Sequence, residues 1–295
     1  METEANFPLV TASWLATVLK SQAASKAADV VVLDASWYFP SQKRDAGAEF
    51  LKAHIPGARF FDIDVICDQS SPYPHMLPSA ELFTQHVNAM GIDKNSLIVI
   101  YDGMGVFSSP RAWWMFRYFG HKRVGVLDGG FKAWQRLGLA VEQGAPEPPE
   151  PYGSFKPSVQ HHLKKDHEEV MQALISAKLK IVDARSAGRF SGMEPEPHDG
   201  LRAGHMPGAI NLPYQQLVNV ETGYFNPFNT IKSLLNSQSI GLDEPIIATC
   251  GSGVSACSIA FILSVFGNDQ VAIYDGSWCE WGSNSNNPVM QGSAR

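Results

Sequence analysis

The sequence predicts an α/β protein of two tandem domains, each a parallel sheet covered by helices on both faces. Two observations carry this. Short segments recur at a nearly constant offset of roughly 150 residues, and within each copy short β-branched runs alternate with helical stretches, the pattern of a parallel sheet. Val31–Val32–Leu33–Asp34–Ala35 returns as Lys180–Ile181–Val182–Asp183–Ala184, and His54–Ile55–Pro56–Gly57–Ala58 returns as His205–Met206–Pro207–Gly208–Ala209. Residues 97–101 match 245–249, and Leu127–Asp128–Gly129–Gly130 matches Tyr274–Asp275–Gly276–Ser277.

In the first copy, residues 30–33 read as a strand, 80–90 as a helix, 97–101 as a strand, 110–119 as a helix and 124–127 as a strand. Pro110 suits a first helical turn and Gly120 a helix end. Trp113, Trp114, Phe116 and Phe119 read as packing residues, and Arg111 as either an anion ligand or a structural ion pair. Between the copies, Pro146, Pro148, Pro149, Pro151 and Pro157 predict an extended, stiff connection. The domains are therefore drawn at 8–143 and 161–282, with a linker at 144–160. In the second copy, the run 245–249 is a strand and the apolar stretch 256–266 a helix, while 283–295 reads as a polar, poorly ordered tail.

With 295 residues, 44% of them hydrophobic, each copy is long enough to bury a core. A net charge of −6 without a basic run argues against nucleic acid and anionic membrane surfaces as partners. No apolar stretch approaches the roughly 20 residues that span a bilayer. The start, Met1–Glu2–Thr3–Glu4, is acidic where a targeting peptide is basic, so a cytoplasmic protein is expected. Cys67, Cys250, Cys257 and Cys279 show neither disulfide-scaffold nor zinc spacing, and the pair His161–His162 reads as solvated surface. Neither a metal nor a cofactor is expected.

Cys250 stands between the strand 245–249 and the helix 256–266, followed by Gly251–Ser252–Gly253–Val254–Ser255. Strand, tight loop and helix in that order turn backbone N–H groups inward, and the positive end of the helix dipole adds to them. A thiol placed there is favoured as the thiolate. Ligands of open α/β sheets bind outside the carboxyl ends of strands, where Cys250 sits. Aligning the copies puts Asp102 opposite Cys250, with a slightly longer loop, Gly103–Met104–Gly105–Val106–Phe107–Ser108–Ser109. A carboxylate is no sulfur nucleophile, so the first domain is expected to be silent. Its glycine pair is too short for a dinucleotide fingerprint and reads as scaffold.

These features together resemble the two-domain rhodanese superfamily, and the loop 250–255 resembles that of its 3-mercaptopyruvate sulfurtransferases. The resemblance spans about residues 8–282. It includes Ser71–Pro72–Tyr73–Pro74–His75–Met76–Leu77–Pro78, Trp113–Trp114–Met115–Phe116–Arg117, Gly188–Arg189–Phe190, Glu194–Pro195–Glu196–Pro197 and Tyr274–Asp275–Gly276–Ser277–Trp278. It implies tandem rhodanese-like domains, each a mainly parallel five-stranded sheet. It also implies an enzyme that takes sulfur from 3-mercaptopyruvate onto Cys250 as a persulfide, releases pyruvate, and passes the sulfur to thioredoxin, a small thiol or cyanide.

By the same resemblance Ser252 relays a proton and His75 polarises it, with Asp64 orienting the histidine. The N–H groups of Gly251, Gly253, Val254 and Ser255 belong to the sulfur cradle, and Arg189 holds the substrate carboxylate bidentately. The family's second arginine, just after the Glu–Pro–Glu–Pro run, is His198 here. Either Arg202 replaces it, or His198 serves when protonated.

Three rival readings follow. A thiosulfate sulfurtransferase on this fold carries basic side chains in the cysteine loop, where this chain has Gly251, Ser252 and Gly253. A phosphatase needs an arginine six positions after the cysteine, and Ala256 excludes it. A non-catalytic carrier would accept persulfide without forming pyruvate. Cys257 reads as a buried helix position, with a redox role as the alternative.

Overall fold

Uninterrupted β-branched runs mark strands buried on both faces. In the computed structural model, which describes residues 7–25, 30–149 and 153–292, such runs form the central strands of two five-stranded sheets. Pro151, the acidic start and residues 293–295 of the expected tail lie outside the described residues. The chain divides into two units. Unit 1 comprises residues 1–69, 78–159 and 219–225, and unit 2 comprises 70–77, 160–218 and 226–295. Each unit thus includes a short segment from the other half of the sequence.

Unit 1 contains β1 (Leu9–Val10), α1 (Ala12–Ser25), β2 (Val30–Asp34), α2 (Ala46–Lys52), β3 (Arg59–Phe60), α3 (Ala80–Ala89), β4 (Leu97–Tyr101), α4 (Ser109–Tyr118), β5 (Val124–Leu127) and α5 (Gly130–Arg136). Its strands run β1-β5-β4-β2-β3, every pair parallel. Alternate residues point to opposite faces. Val30, Val32, Val99 and Tyr101 pack with Leu15, Phe50 and Trp134 from α1, α2 and α5. Aromatic residues of α3 and α4 build a second cluster, where Phe83 stacks on Phe119 at 4.2 Å and meets Phe116 edge-on. Trp113, Trp114, Phe116 and Phe119 are buried, as is Arg111, whose guanidinium lies over the Trp114 ring. Gly120 ends α4 with φ +91°, and a Cβ there would strike the Ser158 carbonyl.

The proline-rich connection carries no helix or strand where it is described, and it is tied down. Gly153 and Phe155 donate to the carbonyl and side chain of Asn88, Ser158 donates to Phe119, and Phe155 is buried against Phe83.

Unit 2 repeats the plan with β6 (Lys164–Lys165), α6 (His167–Ser176), β7 (Lys180–Asp183), α7 (Ala187–Ser191), β8 (Ile210–Asn211), α8 (Phe228–Ser237), β9 (Ile246–Thr249), α9 (Ala256–Val265), β10 (Val271–Tyr274) and α10 (Ser277–Ser283). Its strands run β6-β10-β9-β7-β8, again all parallel. Residues 256–263 of α9 are buried, as expected of a helix apolar on every side.

The polar composition after residue 282 is misleading as a sign of disorder. Met290 and His205 exchange backbone hydrogen bonds, Trp281 donates its indole N–H to the Pro288 carbonyl, and Gly292 donates to Ser191. The segment through residue 292 supplies partners for backbone groups that α7 and α10 leave open. Among the described residues, no helix is long and apolar enough to cross a membrane.

Candidate active site

β9 delivers Cys250 to the carboxyl edge of the sheet in unit 2, where it is 2% exposed. Its own N–H donates to Ser277 Oγ over 3.1 Å. The carbonyls of Cys250 and Gly251 accept from the N–H groups of Trp278 and Cys279 in the first turn of α10, at 3.0 and 2.9 Å. The carbonyls of Gly253 and Val254 turn instead to Cys257, one accepting from its thiol at 3.2 Å and the other from its N–H at 3.1 Å. In a trans peptide C=O and N–H point opposite ways. These four carbonyls therefore leave the N–H groups of Gly251, Ser252, Val254 and Ser255 on the far side from their acceptors. No acceptor among the described residues takes those amides.

Unit 1 shows what such a loop holds. Asp102 Oδ1 accepts from Met104 and Gly105, and Oδ2 from Phe107, Ser108 and Ser109, with all N···O distances between 2.8 and 3.1 Å. The Ser109 hydroxyl adds a bond of 2.6 Å. The homologous loop is a cradle filled by its own carboxyl group, whose Oδ1 takes the N–H groups of Met104 and Gly105 in the stretch read as scaffold, Gly103–Met104–Gly105.

The two glycines after Cys250 have different reasons. Gly253 has φ +74°, a conformation that favours glycine. At Gly251 a Cβ would stand 2.8 Å from Arg189 Nη2, so a side chain there would displace the guanidinium. The Arg189 guanidinium is thus packed against the cysteine loop. Glu196 fixes it there, accepting from Arg189 Nε and Nη2 with one carboxylate oxygen and from Arg185 Nη1 at 2.7 Å with the other. Arg185 is fully buried, paired with Asp183 and stacked over Trp278 at 4.0 Å. Burial works against the Arg185 charge, but Asp183 and Glu196 outweigh it and raise its pKa. Arg189 keeps part of its surface open.

Segment 70–77 brings His75 into unit 2. Leu77 N–H donates to Asp275 Oδ2 at 2.7 Å, and His75 Nδ1 lies 3.1 Å from Ser252 Oγ. His75 is buried and adopts φ +61°, a left-handed conformation costly for a residue with a Cβ. Cys279 lies near Cys250. Burial first, and then the electrostatic influence of neighbouring groups, push its thiol up to about 12, so it stays protonated at neutral pH.

Other expected site residues stand elsewhere. Arg202 does not replace the missing second arginine, because its guanidinium is spent on backbone carbonyls of Trp281, Gly282, Asn284, Ser285 and Asn287. It caps the end of α10. His198 lies in an exposed stretch and makes no hydrogen bond among the described residues. Asp64 belongs to unit 1, where the Trp37 indole N–H donates to both of its carboxylate oxygens at 3.1 Å. Sequence reasoning passed over Glu196 as a charge bridge, Asp275 as an anchor and Ser277 as a partner of Cys250. For Ser277 the signal was present, since the aligned residue of the first copy is Gly130.

A parallel-sheet domain present in duplicate, with a cysteine at the head of the loop in one copy and an aspartate in the other, defines the class. The chain belongs to the rhodanese-like domain family, whose model matches residues 15–137 and 166–284. It is 44% identical over 275 residues to the 3-mercaptopyruvate sulfurtransferase of Rattus norvegicus, covering 92% of this chain and 91% of that one. It is also 43% identical over 275 residues to the thiosulfate sulfurtransferase of Gallus gallus, covering 92% of each. Among solved structures, SseA from Escherichia coli, described as a 3-mercaptopyruvate sulfotransferase, superposes with a TM-score of 0.81 at 36% identity, over 92% of this chain and 98% of that one.

Proposed function

We propose that the protein is a sulfurtransferase that takes sulfur from 3-mercaptopyruvate. The observation that carries the reading is the Cys250 loop, with its open amides and Arg189 packed against Gly251. Relatives of both donor classes are about equally similar, so overall identity does not choose between donors. The loop favours mercaptopyruvate: its residues 251–255 carry no cation, and one guanidinium beside it matches one carboxylate.

The Cys250 thiolate attacks the substrate sulfur, the carbon–sulfur bond breaks, and its electron pair passes to the carbon as the pyruvate enolate. Protonation of that carbon gives pyruvate. The Ser252 hydroxyl, in contact with His75, is placed to supply the proton. The persulfide's charge rests on the loop amides. An acceptor thiolate or cyanide then attacks the outer sulfur and returns Cys250 as thiolate.

Mixing the protein with 3-mercaptopyruvate is expected to add one sulfur atom to Cys250, seen by peptide mass spectrometry, with release of one equivalent of pyruvate. Sulfur uptake without pyruvate would make the protein a carrier. A higher kcat/KM for thiosulfate than for mercaptopyruvate would overturn the donor assignment.

A further inference from the structure

Ser277 adopts a left-handed backbone conformation that disfavours a side chain. It opens α10 with φ +48°, and its counterpart at the start of α5, Gly130, has φ +53°. In unit 1 glycine is obligatory, because a Cβ on Gly130 would lie 2.2 Å from the Asp102 carbonyl and 2.4 Å from that of Gly105. The cysteine loop is shorter and leaves room for one small side chain. Glycine would relieve the left-handed backbone at no steric cost. The serine is kept there against its conformational preference.

What it gains is its hydroxyl. Ser277 Oγ is fully buried, donates to the Tyr274 carbonyl at 2.7 Å, and accepts from the Cys250 N–H at 3.1 Å. Thr249 Oγ1 lies 3.3 Å from the same oxygen. The hydroxyl therefore ties the ends of β9 and β10 together at the nucleophile. It also takes up the one amide of Cys250 that would otherwise compete with the loop amides for orientation. Without it a buried N–H loses its acceptor, and the peptide between Thr249 and Cys250 is left held through its carbonyl, which accepts from the Ala184 N–H at 2.8 Å.

We propose that Ser277 is a positioning residue that fixes the Cys250 backbone, and through it the sulfur, for attack. This rests on Cys250 being the nucleophile of the proposed reaction. Strain held beside a reacting atom, where the silent copy has glycine, is the mark of a functional demand.

The test uses Ser277→Gly and Ser277→Ala in the full chain. Leaving the buried Cys250 N–H unpaired is expected to slow persulfide formation from mercaptopyruvate about tenfold or more in a single turnover. KM is expected to stay within about twofold, since Arg189 is untouched. Ser277→Gly, which suits the backbone, is expected to keep the wild-type Tm within a few degrees. Alkylation of Cys250 by iodoacetamide reads the same geometry without a sulfur donor and is expected to slow in parallel. Wild-type rates of both persulfide formation and alkylation in the two variants would overturn the proposal. If the wild-type protein released no pyruvate while Ser277→Gly still slowed alkylation, the sulfurtransfer reading would fall and the positioning role would stand.

Discussion

The backbone N–H of Leu77 donates to Oδ2 of Asp275 over 2.7 Å, two residues along the chain from the histidine that meets Ser252. Unit 1 contains the same device: Phe225 N–H donates to Asp128 Oδ1 at 3.0 Å, and Asp128 is the repeat counterpart of Asp275. In both units the aspartate after the last strand anchors a segment from the other half of the sequence. Asp275→Asn offers one oxygen to the same N–H but loses the charge that strengthens the bond. The variant is expected to show faster hydrogen exchange across residues 70–77 and a kcat for mercaptopyruvate lowered roughly five- to tenfold. Unchanged exchange would show that the segment is held by its other contacts.

Glu196 is the hinge of the charge network, because Arg185 and Arg189 share its carboxylate. Removing its charge leaves the fully buried Arg185 with Asp183 alone and lets Arg189 swing from the loop. Glu196→Gln is expected to destabilise the protein by about 3 kcal/mol in denaturant unfolding. It is also expected to raise KM for mercaptopyruvate. Arg189→Lys separates the two effects: KM rises on the order of tenfold through loss of the planar fork, while stability changes by less than about 1 kcal/mol.

The opposite pattern is expected at Arg202. Its N–H groups hold carbonyls at the end of α10 and just beyond, so Arg202→Met strips acceptors of their partner without touching the cysteine loop. Unfolding free energy is expected to fall by about 2 kcal/mol with KM for mercaptopyruvate unchanged. A several-fold rise in KM at unchanged stability would restore the substrate-binding role that its place in the sequence suggested.

How much of this was legible beforehand follows from where each interaction is encoded. The tandem plan was written twice, and a cysteine between an apolar strand and an apolar helix announces itself by the order of residue types alone. Arg202 was not legible because its partners are main-chain carbonyls, which leave no mark in a sequence. The attachment of residues 284–292 was hidden for the same reason, since backbone bonds and the Trp281 indole hold a polar stretch whose composition suggests a tail. His75 came only through family resemblance: nothing in the spacing of 75 and 252 says that their side chains meet. The packing of the Arg189 guanidinium against Gly251 was likewise hidden, because the two lie far apart in the sequence.

Asp34 shows what the first copy lacks. Its counterpart Asp183 is paired with Arg185, but in the first copy the arginine position is Ser36, whose N–H and hydroxyl are hydrogen-bonded to Asp34 Oδ1. Burial without a cation raises the Asp34 pKa to about 6, against hydrogen bonds from Ser36 and Tyr101 that lower it. The sign follows from proton counting. Between the ordinary carboxylate range and pH 6 the folded state keeps a proton that the unfolded chain has released, so stability falls as pH rises through this window and levels off above it. Asp34→Asn keeps an acceptor for Ser36, offers its amide to the Tyr101 oxygen, and removes the titration. The variant is expected to exceed the wild type at pH 8 by on the order of 2 kcal/mol in urea unfolding, with the difference shrinking toward zero near pH 4. A difference independent of pH would mean that Asp34 ionises normally and that its environment is wetter than the buried side chain indicates.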